Sequence, residues 1–509
     1  MKQLSEQDAA FIYSDNAHAN SNVTLLHIYD QSTAPGGLLR FKHIRAHVES
    51  RLSQLPVLRE KILRVPLDLD HPYWVEDEAF DINYHVRHIA LPKPGDWRQF
   101  CIQVSRIHAR ALDLQRPLWE MYVMEGLDSF LDLPQGSFAV LVKVHHAAID
   151  VAHGNEITTL LHDLSPHAPP PAPAAPWFPS AAPGSIGLLT RAWFNMVTFP
   201  LRMAQPMLRN WHTLRAATTT LAGDLMGRTH GFPMTRFNTE VSAQRVFDTR
   251  RFPLADFKAM RQLATGATVN DVVLAVCAGG LRRYLARQGE LPDDSLLAAT
   301  PVGVRSSQSD AAQFAWVQLP LATHLADPVE RLAAVRDAAT SSDIMERAVG
   351  AQELQALAQQ APAAAMAVTS KLLRSASSQL GNWVPLANCA ITNVPGPDVP
   401  LYLHGAKLTY VSAIMPVSDG LGLVYAVTSY NGLMVISFTA CAEQLPDPDT
   451  FAQCLRDSFQ EYLALLDPPA LTTPPKKPRA RKPREGKPTA RRAAPSATSA
   501  TPTTPASAA

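Results

Sequence analysis

Cysteine is scarce in this 509-residue chain and does not cluster: Cys101, Cys277, Cys389, Cys441 and Cys454 are scattered, with no CxxC pair and no zinc-ligand spacing. That argues against a disulfide-framed scaffold or a structural zinc site, and for a reducing compartment. Long hydrophobic runs are also missing. The most apolar stretch beside a linker, residues 186 to 199, is interrupted by Arg191 and Asn195 and is too short to span a bilayer before Pro200. The first six residues, Met1-Lys2-Gln3-Leu4-Ser5-Glu6, lack a basic start leading into an apolar run, so no secretory signal is expected and the cytoplasm is the expected location. Neither GxSxG nor GxxxxGK[ST] occurs, which argues against a serine hydrolase of the nucleophile-elbow type and an ATP-driven ligase. No repeat of solenoid length is present.

What is present is the composition of a folded protein, 46% hydrophobic and 18% charged, in a chain longer than one core usually organises. Two lobes are expected, over residues 1–164 and 186–468. Between them, residues 165–185 (SPHAPPPAPAAPWFPSAAPGS) read as an extended proline-rich connector. Residues 469–509 form a basic Pro/Ala-rich tail without apolar periodicity, which is expected to be disordered. From Thr472 onward the tail carries nine Lys/Arg and one Glu, so its +8 against the formal +1 of the chain leaves −7 elsewhere. Such a tail either sits solvated without a partner or holds the chain on anionic membrane or granule surfaces, at roughly 1 kcal/mol per basic residue. Trp193, Phe194, Met196 and Val197 with Arg191 and Arg202 give the segment after the connector an amphipathic character suited to a lipid surface. A helix pair packed on the core and kinked at Pro200 and Pro206 explains the same residues.

Residues 137–144 (SFAVLVKV) read as a largely buried strand that delivers His145 and His146 at its end, and Ile157, Leu160, Leu161 and Leu164 continue at helical spacing. Thr268 with Asp271 three residues later predicts a capped helix start, followed by the apolar stripe Val269, Val272, Val273 and Val276 and ended by Gly289 and Pro292. Asn431-Gly432, between residues 421–430 and 433–439, predicts a tight hairpin.

The chemistry-bearing string is His145-His146-Ala147-Ala148-Ile149-Asp150. An imidazole at a strand end can face a channel, and its ordinary pKa of about 6.5 suits removal of a hydroxyl proton during acyl transfer near neutral pH. Two bland readings compete: a satisfied pair of core histidines, and a metal site completed by His153, for which no second ligand cluster is present.

At this string the chain resembles the bacterial wax ester synthase/acyl-CoA:diacylglycerol acyltransferase family, whose hallmark is HHxxxDG. The resemblance extends to residues 113–120 (DLQRPLWE), similar to the family's PLW region, and to residues 267–275 (ATVNDVVLA), similar to its ND motif. Pro301-Val302-Gly303-Val304-Arg305, Thr392-Asn393-Val394-Pro395-Gly396-Pro397 and Ser429-Tyr430 follow in family order, so the likeness covers about residues 4 to 465. It implies an α/β fold of two chloramphenicol-acetyltransferase-like lobes, the CoA-dependent acyltransferase fold, with mixed sheets and a tunnel between them. It also implies an O-acyltransferase that uses acyl-CoA to acylate diacylglycerol or a long-chain alcohol, making triacylglycerol or wax ester.

By the same resemblance His146 is the proton acceptor, His145 its supporting neighbour and Asp150 a structural carboxylate paired with an arginine, Arg305 being one candidate. Asn270 and Asp271 shape the site from the second lobe, although a helix start alone explains both. Val151 stands where the family has glycine, beside the histidines, and is a third site-shaping position. No metal and no cofactor is expected, acyl-CoA being a substrate. The expected partners are acyl-CoA, the lipid alcohol and, peripherally, the inner membrane or a lipid-inclusion surface; no nucleic acid is expected. Two other functions remain open: acylation of another alcohol or from a carrier-bound acyl group, and a degenerate, non-catalytic lipid- or granule-binding role.

Overall fold

The computed structural model describes residues 1–127, 133–149, 154–167, 177–209, 233–304, 313–341 and 387–466. Met1–Asp467 form one compact unit and Pro468–Ala509 a second segment. Asp150, Val151, His153, Arg305 and the basic tail lie outside the described residues.

The described residues build two six-stranded sheets and one of three strands. The small sheet joins β1 (Lys2–Gln3), β3 (Glu60–Leu63) and β4 (Tyr73–Glu76). The first large sheet contains β2 (Asn22–Asp30), β5 (Val86–Ala90), β6 (Trp119–Glu125), β7 (Phe138–His145), β12 (Tyr402–Leu403) and β13 (Ala406–Ile414), in the order β12-β13-β2-β7-β6-β5. The second contains β8 (Arg245–Pro253), β9 (Leu297–Val304), β10 (Gln313–Pro320), β11 (Cys389–Pro395), β14 (Leu423–Tyr430) and β15 (Leu433–Cys441), in the order β10-β9-β11-β14-β15-β8. Both are mixed: β5 runs parallel to β6 and β11 parallel to β9 and β14, while the remaining neighbours are antiparallel.

The strands read from the sequence appear where expected. All eight residues of β7 are buried, because the sheet is covered on both faces. On one face Val23, Tyr29, Val140 and Val142 pack beneath α2 (Phe41–Arg51) and α4 (Gly154–Leu161). On the other, Leu26, Ile28, Ala139 and Leu141 meet Phe100, Val104 and Ile107 of α3 (Trp97–Ala109), together with Phe247 and Val435 of the second sheet. The hairpin between β14 and β15 turns at Asn431 (φ 46°) and Gly432 (φ 79°), the left-handed pair that a two-residue turn requires.

Where the connector ends, α5 runs as one helix over Ser185–Arg209, through Pro200 and Pro206. The predicted helix of the second half is α6 (Val269–Gln288). Thr268 Oγ1 accepts the Asp271 N–H at 3.2 Å, Asp271 Oδ2 accepts the Thr268 N–H at 2.8 Å, and Gly289 closes the helix at φ 70°. Its apolar stripe proves to be only part of its buried surface. Thirteen of its residues are buried, since α7 (Pro448–Ala464) crosses it so closely at Gly279 and Gly280 that a side chain at either would strike Ser458 or Leu455.

Two strands of the first sheet, β12 and β13, come from late in the chain. The antiparallel pairing of β13 with β2, Ile414 opposite Thr24 and Lys407 opposite Asp30, carries the chain back from the second sheet to the first. Side chains then tie the sheets together: Thr428 donates to the Val411 carbonyl at 2.8 Å, Ser437 to that of Ala413 at 2.8 Å, and Tyr430 to that of Leu408 at 3.2 Å.

Candidate active site

Strand β7 ends at His145, and the chain turns at once through His146–Ala148 as a single 3-10 turn. The main chain of both histidines is held by earlier strands and loops. His145 N–H donates to the Leu118 carbonyl at 3.0 Å and His146 N–H to the Ser21 carbonyl at 2.8 Å. Beneath the turn, Ala147 packs with Leu4, Ala9 and Ile12, the last two on α1 (Glu6–Ser14), and with Leu118.

His145 is 1% exposed and both its ring nitrogens are engaged. Nδ1 accepts the Ala147 N–H at 3.1 Å, so the proton resides on Nε2, which donates to Asp15 Oδ2 at 3.0 Å. The other oxygen of Asp15 accepts the Ser21 N–H at 2.8 Å. Asp15, at the end of α1, thereby links the His145 ring to the residue whose carbonyl holds the His146 backbone.

The His146 ring is arranged differently. It stacks on Phe11 of α1, centroids 4.0 Å apart and planes 19° from parallel. Its Nδ1 is buried and has no hydrogen-bond partner among the described residues. Burial pushes the imidazole below its ordinary pKa; its own main-chain carbonyl opposes this, and His145 adds to it. A histidine neutral at pH 7, with one nitrogen enclosed and the backbone fixed from both sides, can accept a proton from a substrate through Nε2.

The remaining predicted positions fall in separate places. Asp271 is 3% exposed and serves the cap of α6, while Asn270 is exposed at the helix start and accepts from Asn393 Nδ2 of β11 at 3.3 Å. No hydrogen bond joins either to the histidines among the described residues. Asn270 and Asn393 nevertheless bring two of the motif segments together. Ser429 and Tyr430 adjoin them, since Pro395 pairs with Ser429 across β11 and β14, and the Gly396 N–H donates to the Ser429 carbonyl at 2.9 Å. Leu118 and Trp119 are core residues: Trp119 Nε1 donates to the Leu58 carbonyl at 2.7 Å, and its ring stacks on His85 at 4.6 Å. Among the described residues, no three His, Cys, Asp or Glu side chains gather as a metal site.

Asp15 and Phe11 were not singled out from the sequence. Asp15 lies 130 residues from His145, and an acid after a short helix is too common to mark a site.

Comparison with known proteins identifies the lineage of this arrangement. The wax ester synthase/diacylglycerol acyltransferase catalytic domain matches residues 4–273, and the C-terminal domain of the same family matches residues 312–462. The chain belongs to the wax ester synthase/diacylglycerol acyltransferase family. A provisionally named diacylglycerol O-acyltransferase of Mycobacterium tuberculosis is 31% identical to this family member over 475 residues, covering 92% of this chain and 91% of that one. Another from the same species is 32% identical over 509 residues, covering 91% and 97%. Among solved structures, the wax ester synthase/diacylglycerol acyltransferase of Marinobacter aquaeolei VT8 superposes with a TM-score of 0.65 at 25% identity, over 91% of this chain and 99% of that one. The trichothecene 15-O-acetyltransferase TRI3 of Fusarium sporotrichioides, at TM-score 0.57 and 11% identity over 91% of this chain and 94% of that one, shares the fold. The fold is the CoA-dependent acyltransferase fold, and this member of the family is an acyltransferase enzyme of the diacylglycerol O-acyltransferase and wax ester synthase class.

Proposed function

We propose that the enzyme transfers a long-chain acyl group from acyl-CoA to the hydroxyl of diacylglycerol or a long-chain alcohol, with His146 as general base. The observation that carries this is the state of the His146 ring: stacked on Phe11, enclosed at Nδ1, and lowered in pKa by burial. With Nδ1 enclosed, Nε2 is the ring nitrogen left to meet a substrate hydroxyl, and the base acts through its lone pair there. As the acceptor oxygen attacks the thioester carbonyl, Nε2 takes the hydroxyl proton, the C–O bond forms, and the C–S bond breaks. The proton then passes to the departing thiolate, releasing free coenzyme A. A thioester is already activated, so the step calls for no metal or cofactor. His145 has no free nitrogen and acts as a positioning residue, held by Asp15.

Lipid acceptors call for contact with a lipid surface, and α5 supports that reading. Leu188 and Ala192 are 2% exposed and pack on Val65 and Tyr73, while Asn195 Nδ2 donates to Asp70 Oδ2 at 2.7 Å. On the opposite face, Ile186, Leu189, Trp193 and Val197 are exposed at three- and four-residue spacing, Trp193 by 62%. An apolar stripe turned away from its own core suits contact with a membrane or lipid inclusion. No helix among the described residues is long and apolar enough to cross a membrane. Exchanging Trp193 and Val197 together for Ser should lower binding to lipid vesicles about tenfold in a sedimentation assay, because two large side chains lose their buried area. Unchanged partitioning would place the lipid contact elsewhere.

Activity is tested by following free thiol released from palmitoyl-CoA, alone and with diacylglycerol or hexadecanol. Release stimulated by either alcohol is expected. Thiol release that neither alcohol stimulates would point to another acceptor, and none at all to a protein that binds lipid without catalysis.

A further inference from the structure

On the face of the first sheet covered by α3, that helix and the start of β8 enclose a cleft of about 660 Å³. Arg98, Arg106 and Arg110 line one wall and Arg245 the other, against two acids, Asp248 and Asp449. Both acids are already used. Asp449 pairs with Arg98 across the cleft, and Asp248 accepts from Arg250 at 2.9 Å and from Trp97 Nε1 at 2.8 Å. Arg106, Arg110 and Arg245 have no carboxylate at ion-pairing distance among the described residues, although Arg245 also donates to the Ser242 and Gln244 carbonyls, so this end of the cleft carries an excess of positive charge.

The same end adjoins the histidines. Asn20 Nδ2 donates to the Ala109 carbonyl at 3.0 Å, Asn22 Nδ2 to that of Arg110 at 3.1 Å, and Arg245 reaches the His18 carbonyl. Asn22 lies directly opposite His145 in the β2–β7 pairing, and the neighbouring Ser21 holds the His146 backbone. One strand spacing and one side chain therefore separate Arg110 from the histidines, on the order of 10 Å. The carbonyls at the end of α3 would repel an anion. Lys143, buried on β7, counters them by donating to the carbonyls of Ile107, at 2.9 Å, and Arg110. Burial pushes its pKa down to about 8, which leaves it charged at neutral pH.

We propose that this cleft binds the phosphate-bearing end of the acyl donor, the 3′-phosphate and diphosphate of coenzyme A, with Arg106, Arg110 and Arg245 as phosphate ligands. The inference rests on acyl-CoA being the donor. Guanidinium groups pair with phosphate oxygens bidentately, and three of them suit a ligand with several negative charges. The pantetheine arm, as long as four or five extended residues at about 3.4 Å each, is longer than the roughly 10 Å between Arg110 and the histidines.

The test compares the full-length enzyme with an Arg106→Ala/Arg110→Ala variant; both positions are exposed, so the fold should survive, as a thermal melt checks. Calorimetric titration with free coenzyme A should give a Kd at least tenfold higher for the variant, the lower end of what charge-assisted hydrogen bonds contribute. The ratio of kcat/KM for palmitoyl-CoA to that for palmitoyl N-acetylcysteamine, a thioester without phosphates, should fall by a similar factor. A single Arg110→Glu exchange gives an independent reading and should shift both quantities in the same direction. An unchanged Kd, or equal losses with both thioesters, would overturn the assignment. The donor reading fails separately: wild-type enzyme that binds coenzyme A through these arginines but transfers no acyl group from palmitoyl-CoA would retain the cleft and lose the donor, whereas turnover with an unaltered ratio would do the reverse.

Discussion

Replacing His146 with alanine should lower kcat/KM for acyl transfer by about 10²–10⁴-fold, the usual contribution of a positioned general base. The melting temperature should change little. Removing the ring orphans no hydrogen-bond partner, because Nδ1 has none among the described residues, and forfeits mainly its stacking on Phe11, worth about 0.5–1.5 kcal/mol. The pH dependence gives a second readout. The base works only when neutral, so kcat/KM should rise with pH along a limb set by the His146 pKa and level off above it. Burial lowers that pKa, which places the limb below the ordinary value of about 6.5 and leaves the profile flat through neutrality. His146→Ala should abolish the limb along with the rate. Near wild-type turnover in a folded variant, or a limb above 6.5 in the wild type, would remove His146 from the chemistry.

Asp15→Ala should produce the second large effect by another route. It leaves the His145 Nε2–H and the Ser21 N–H without their acceptor, at about 1–3 kcal/mol for each group that stays buried. A melting temperature lower by several degrees is expected, together with a fall of roughly 10- to 100-fold in kcat measured well below the melt, because the segment that fixes the His146 backbone loses its anchor. Asp15→Asn keeps one acceptor oxygen but sets an amide N–H against the other donor, so it should recover only part of the rate. Wild-type kcat at low temperature in an Asp15→Ala protein that merely melts early would confine Asp15 to a structural role.

The placement of Asp15 illustrates what linear order conceals. The histidine pair is visible in the sequence because adjacent residues at the end of an apolar run carry a recognisable pattern. Its supporting carboxylate comes from a loop 130 residues earlier, brought there because β2 pairs with β7 and sets Asn22 opposite His145. Phe11 reaches the His146 ring for the same reason, through the helix that precedes β2. The cleft arginines are equally diffuse in sequence, since Arg110 and Arg245 become neighbours only when α3 packs against the start of the second sheet.

Local elements, by contrast, were legible wherever short-range chemistry decides them. The buried β-branched run of β7, the Thr268–Asp271 capping box, the left-handed Gly289 and the Asn431-Gly432 hairpin each depend on residues within a few positions of one another, and each is found as read. The ordered motifs likewise identified the family and its fold. Only the tertiary structure decided that β13 leaves the second half of the chain to complete the first sheet, that α6 is buried on nearly all sides, and that the two motif histidines meet different surroundings. His145 spends both nitrogens on Asp15 and Ala147, while His146 is left enclosed and unpaired at Nδ1. Those outcomes depend on strand pairing and burial across long sequence separations, where two chemically identical side chains acquire different partners from surroundings that neighbouring residues do not specify.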